Sequence, residues 1–251
     1  MKNTNFVCLA LPALSMGHYL FPQLMLNGKE ISNRDFVRQH DNGFQPSWDD
    51  GKFLQSNDIR CNKGSENYAK STKAANVIAG QDIVGFTTNI HQKLQHPGPL
   101  TIHMSKAPGD VSDYDGSGDW FKVYQLGYKD GWDGTDKGWN SFGKNKFTFE
   151  LPAEITQGQY LMRIEHIATH PPNKAKQFFL QCAHLNVTSD YTGPAPDSVM
   201  KLPGGYTMDS PWIQYDSWKK PAITSVTMPG PEKMWPNENN FNKMLDDGII
   251  N

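Results

Sequence analysis

The chain has few of the features that define whole classes of protein. It carries three cysteines in 251 residues, with no CxxC pair and no Cys-His cluster. That spacing excludes the usual structural zinc modules. Its formal charge is only −2 at neutral pH, so nothing in the balance suits a polyanionic partner such as nucleic acid or an anionic membrane. Long apolar runs are also missing. The longest, Phe6 to Met16, is far short of the roughly 20 residues a membrane-spanning helix needs. No internal repeat and no Ser/Thr-rich linker is visible, which argues against a second module.

That short apolar run has a different meaning. Lys2 gives a positive start, and Ser15 and Gly17 are small residues at the end. This is the pattern of a secretory signal peptide cut after Gly17. We therefore expect residues 1–17 to be a leader and 18–251 to form one secreted domain of 234 residues, with net charge −3 once Lys2 is lost. Cys8 leaves with the leader. Cys61 and Cys182 remain, and two cysteines in an oxidising compartment most simply form one disulfide. Asn186-Val187-Thr188 is an N-glycosylation sequon, which that route permits.

Cleavage after Gly17 would make His18 the first residue of the mature chain. A terminal amine and the Nδ1 of its own imidazole can close a six-membered chelate on one metal ion, which an internal histidine cannot do.

What the chain does have is 22 glycines, 17 prolines and 29 aromatic residues (7 Trp, 9 Tyr, 13 Phe). Apolar runs or alternating apolar residues between turn signals predict strands at 19–26, 82–88, 100–105, 120–126, 146–151, 159–168 and 177–187. Seven strands without long helical periodicity predict an all-β immunoglobulin/fibronectin III-like β-sandwich with long loops. Segments 29–75 and 107–145, polar and rich in Gly and Asp, read as long loops around the strand at 120–126. The region after Gly193 is expected to drape over the sandwich. Asp113 to Asp119 superficially suggests a calcium loop but lacks the closing acidic residue, and reads as surface loop. Trp120 and Trp139 read as buried anchors.

Several ordered stretches go further: HYLFPQLMLNG from His18, VRQHDN, SNDIRC, HPGPLTIHMSKAP from His96, GDWFKV, GQYLMRIEHIATH, QFFLQCAHLNV from Gln177, LPGGY and MPGPEK. Together they resemble auxiliary activity family nine, the fungal copper-dependent lytic polysaccharide monooxygenases formerly called glycoside hydrolase family sixty-one, over nearly all of the mature chain. The resemblance implies that His18 binds copper through its amine and Nδ1 and His96 through Nε2. Imidazole and amine nitrogens suit that metal. It also implies catalytic support from His170 and Gln177, and an axial position at Phe179, where the family normally has tyrosine.

The implied activity is oxidative cleavage of β-1,4-glucan, cellulose or hemicellulose, at C1 and/or C4. The implied co-substrate is O2 or H2O2, and the electron donor cellobiose dehydrogenase or a small reductant. The alternative is a histidine-brace copper-binding protein without oxygenase activity, toward which Phe179 leans. A monomer acting on a crystalline polymer needs a flat face, and Tyr19, Tyr206 and Tyr215 are the candidate sugar-stacking rings. His40, His91, His103, His166 and His184 are expected to be structural or surface groups.

Overall fold

The computed structural model describes residues 17–48, 51–169 and 176–236. Residues 1–16 of the expected leader, and His170, lie outside the described residues.

Two sheets stack face to face. One has four antiparallel strands in the order β2-β1-β5-β8, from β1 (Gln23–Leu26), β2 (Lys29–Asn33), β5 (Ile83–Thr87) and β8 (Lys146–Glu150). The other runs β3-β10-β9-β6-β7, with β3 (Ser47–Trp48), β6 (Leu100–Lys106), β7 (Phe121–Leu126), β9 (Gly158–Ala168) and β10 (Gln177–Thr188). β4 (Ala75–Ile78) adds in parallel to the far end of β10. The all-β sandwich expected from the sequence is present, and all seven expected strands occur.

Period-two alternation sorts the long strands. Leu100, Ile102 and Met104 of β6, Tyr160, Met162, Ile164 and Ala168 of β9, and Phe179, Ala183 and Leu185 of β10 point between the sheets. Their core partners from the smaller sheet include Leu24, Val84, Phe86 and Phe147. The intervening residues face outward, yet they too are buried, beneath the loops and the segment after Gly193. Met200 exchanges both backbone hydrogen bonds with Trp120 at 2.9 Å, and Trp235 N–H donates to the Lys122 carbonyl. Trp120 and Trp139 are buried, as expected. The disulfide Cys61–Cys182 is formed, fixing a helical turn (Asp58–Cys61) on the outer side of β10.

Two features differ from the sequence reading. The strand expected from Tyr19 begins only at Gln23, because Pro22 has no N–H and the amides of Leu20 and Phe21 are taken by the side chains of Asn89 and Gln181. Segment 29–75 is not plain loop. It contains β2, β3 and three helical turns (Lys52–Gln55, Asp58–Cys61, Ser65–Ser71). β2 follows β1 through Asn27-Gly28, both with positive φ (49° and 79°), as a two-residue hairpin requires.

Buried polar groups on the outer face have a consequence for pH. His103 lies between Lys122 and Arg163 in the sheet register. Neither of its ring nitrogens has a hydrogen-bond partner among the described residues. Burial, with those two cations, pushes its pKa well below the ordinary value. His184 accepts from Arg38 Nε at 2.6 Å, and burial first, then Arg38, lowers it to about 3. Both rings are neutral when folded and take up protons when unfolded. The stability they provide is complete above pH ~6.5 and is lost as pH falls, at up to about 1.4 kcal/mol per pH unit for each. Urea unfolding should show a loss of about 2 kcal/mol between pH 6.5 and 5.5. A flat profile across that unit would refute the assignment.

Candidate metal centre

The first described segment is held by its backbone. Asn89 Oδ1 accepts the Leu20 amide at 2.6 Å, Asn89 N–H donates to the Leu20 carbonyl at 3.1 Å, and Gln181 Oε1 accepts the Phe21 amide at 2.6 Å. The extended stretch alternates, so Tyr19 and Phe21 are buried while His18 is half-buried at the rim.

His96 arrives from the other side, in the turn leading to β6. Pro97 and Pro99 carbonyls accept the backbone amides of Thr169 (2.8 Å) and Ile167 (3.0 Å), and the Gly98 carbonyl accepts Ser141 Oγ at 2.6 Å. Gly98 has φ 149°, and a Cβ there would lie 1.9 Å from the Ile167 carbonyl oxygen. Only glycine lets the turn sit this close to the end of β9. The backbone, not the imidazole, thus fixes where His96 stands.

These two segments bring the imidazoles of His18 and His96 to 5.9 Å between ring centres, tilted by 53°. Phe179 closes the site from behind, at 5.7 Å from His18 and 5.6 Å from His96, nearly parallel to the latter. Gln177, two residues earlier on the same face of β10, is buried, and its Oε1 has no hydrogen-bond partner among the described residues. A buried amide oxygen left this way costs free energy unless something outside the protein satisfies it.

The donor set fits a metal ion. Nitrogen ligands stand about 2.0–2.1 Å from a borderline first-row ion, which places each ring centre about 3 Å away and two opposed rings about 6 Å apart. Among the described residues no three His, Cys, Asp or Glu side chains converge. A third nitrogen must therefore come from elsewhere, and in the described chain the His18 nitrogen is still a peptide amide, joined to Gly17.

The sequence reading grouped His18, His96, Phe179 and Gln177; the rings of the first three are within 6 Å of one another, and Gln177 lies two residues from Phe179 on the same face of β10. It did not place the sugar-stacking rings correctly. Tyr19 is fully buried, stacked on Phe179 with its hydroxyl against His166. Tyr206 is buried and donates to Glu165 Oε1 at 2.7 Å, beside the buried Arg163–Glu165 ion pair. Tyr215 packs against Trp132 and Trp139. None presents a face to solvent. The exposed large rings at this end are instead Trp48, 45 % exposed and paired in register with Gln177, and Trp218, 65 % exposed. Ser217, next to Trp218, donates to the Thr169 carbonyl. Asn89, Gln181 and His166 were also missed as site residues. For His166 the signal existed, since the alternation of β9 puts it on the same face as Ile164 and Ala168. Asn186 of the sequon is half-buried in β10, its amide donating to Asn76 Oδ1 at 2.8 Å.

Solved structures share this architecture. The crystal structure of HiLPMO9B is similar over 87 % of this chain and 99 % of its own, with a TM-score of 0.74 and 27 % identity. A cellulose-active polysaccharide monooxygenase from M. thermophila matches 85 % of this chain and 97 % of its own, with a TM-score of 0.71 and 25 % identity. The sandwich is thus of the polysaccharide-monooxygenase type. Sequence comparison narrows this. The model of Auxiliary Activity family 9 (formerly GH61) matches residues 18–225. The AA9 family lytic polysaccharide monooxygenase G of Aspergillus tamarii is 41 % identical over 221 residues, covering 87 % of this chain and 66 % of the relative's length. Monooxygenase C of Emericella nidulans is 38 % identical over 238 residues, 92 % of this chain and 96 % of its own. The chain belongs to Auxiliary Activity family 9, a family of polysaccharide-oxidising enzymes.

Proposed function

We propose that the chain is a secreted, copper-dependent lytic polysaccharide monooxygenase that cleaves β-1,4-glucan oxidatively at C1 and/or C4. The observation that carries this reading is the pairing of His18 and His96 at one rim of the sandwich, in a chain whose family match starts at His18. Removal of residues 1–17 converts the His18 amide to an amine, the third nitrogen the pair requires. Copper held by these three nitrogens would supply one-electron chemistry with O2 or H2O2, sufficient to oxidise a sugar C–H bond.

The remaining work belongs to the chain. His18 and His96, with the His18 amine, would hold the ion. Phe179 keeps water from the rear face and offers no hydroxyl there. Gln177 Oε1 would accept a hydrogen bond from the O–H of a water or peroxide molecule at the site, and so orient it. His170, from the resemblance, shares that task. Trp48 and Trp218 stack on sugar rings of a flat polymer surface. Electrons come from cellobiose dehydrogenase or a small reductant, and the secreted chain acts as a monomer with a glycan on Asn186. A copper-binding protein without oxygenase activity is favoured only by Phe179. The unsatisfied oxygen of Gln177 speaks for the enzyme, since storage needs no oxygen-orienting group.

The test is direct. Mature protein loaded with one copper and given ascorbate should release oxidised oligosaccharides from cellulose, xyloglucan, glucomannan or xylan, read by mass spectrometry. Tight copper binding with no product from any of the four would favour the carrier instead.

A further inference from the structure

We propose that Tyr19 and His166 form a positioning pair that sets the orientation of His18, and with it the metal plane. The inference deepens the proposed function and rests on it for its copper readouts.

Tyr19 is the residue after His18, so its side chain governs the backbone that carries the first ligand. Its ring stacks on Phe179 at 4.3 Å and 27°, lies 5.6 Å from Phe21 edge-on, and comes within 5.9 Å of His96. Phe179 is the ring against which both metal-facing imidazoles rest. Tyr19 therefore braces Phe179, the rear wall of the site, and reaches His96 as well.

The phenol end supplies direction. Its hydroxyl meets His166 Nδ1 across 147 residues of sequence, with both side chains fully buried. In the tautomer that carries the imidazole proton on Nε2, Nδ1 is the acceptor and the phenol O–H donates to it. A stacked ring alone could slide in its own plane. A stacked ring with one directed bond at its tip cannot.

The register shows what this bond joins. On β9, His166 stands opposite Phe179 of β10 and opposite Leu100 of β6, four residues after His96. One tyrosine–histidine contact thus ties the segment bearing His18 to the strand bearing Phe179 and the strand that follows His96.

The experiment uses mature protein beginning at His18, with Tyr19→Phe, His166→Phe, His166→Gln and the double Tyr19→Phe/His166→Phe variant. The probe is Cu(II) alone, read by competition calorimetry and by electron paramagnetic resonance. A second readout is hydrogen exchange of the Leu20 and Phe21 amides in metal-free protein. Outer partners of metal ligands typically contribute about 10–100-fold in affinity. Tyr19→Phe and His166→Phe should each weaken Cu(II) binding by about tenfold or more, alter the copper hyperfine pattern, and speed exchange of both amides. The double variant should be no worse than either single one. His166→Gln, whose amide oxygen can accept the phenolic proton, should recover most of the loss, which a merely structural role would not produce. Unchanged affinity, spectrum and exchange in Tyr19→Phe would overturn the pair. If wild-type mature protein binds no copper, the metal reading fails, and exchange still decides whether the tether exists. Should Tyr19→Phe not fold, the contrast between His166→Phe and His166→Gln decides.

Discussion

His96→Ala in the mature chain should abolish tight copper binding while leaving the fold intact. If a metal-binding free energy on the order of 10–16 kcal/mol is shared by three nitrogens, loss of one removes about 4 kcal/mol, or roughly a thousandfold in Kd. The fold should survive because the turn at 96–99 is fixed by its carbonyls and by Gly98 rather than by the imidazole. Copper should raise the Tm of the parent protein by mass action and leave that of His96→Ala unchanged. A chain retaining Gly17 should fail in the same way, since an amide nitrogen bonded to a preceding residue is no longer an amine. Its failure would separate the role of the amine from that of the imidazole. Equal affinity in His96→Ala and parent would refute the paired-histidine site.

The strands were legible because each has four or more residues and alternates or runs apolar between Gly and Pro signals. β2 was missed although Asn27-Gly28 is a hairpin signal, because the strand after it, Lys29–Asn33, is polar and carries no apolar alternation. β3 and β4 were missed too. A two-residue strand carries no period, and the parallel pairing of Ala75–Ile78 with β10 depends on contacts 110 residues away. At the site, His18, His96, Phe179 and Gln177 were legible because family resemblance fixes them to motifs. The tyrosines were not. Proximity to a ligand, as for Tyr19, or to a glycine turn, as for Tyr206, says nothing about which way a ring points. Tyr19 and Tyr206 turn inward because each hydroxyl finds a buried acceptor, His166 and Glu165, so a large apolar ring can be removed from water without leaving its polar tip unsatisfied.

Replacing Cys61 and Cys182 together by alanine should destabilise the protein by about 4–5 kcal/mol, since the bond closes a loop of 121 residues in the unfolded chain. For a domain of this size that corresponds to a fall in Tm of roughly 10–20 °C. Native contacts around the bond are dense. Arg163 Nε donates to the carbonyls of Ile59 and Arg60, and Asn62 Nδ2 donates to the Leu180 carbonyl at 3.0 Å. They hold the same helical turn against β9 and β10 without the cross-link. The folded state should therefore keep its geometry, and most of the effect should come from the unfolded state gaining freedom. Cys182 points to the outer face while Phe179 and Gln177 point inward, so copper affinity at 20 °C should change less than twofold even as the Tm drops. Either single alanine variant should fall nearly as far as the double one, because one substitution already opens the loop. A fall of under 3 °C would mean that the unfolded chain is already compact around this loop, and that the entropy argument does not apply here.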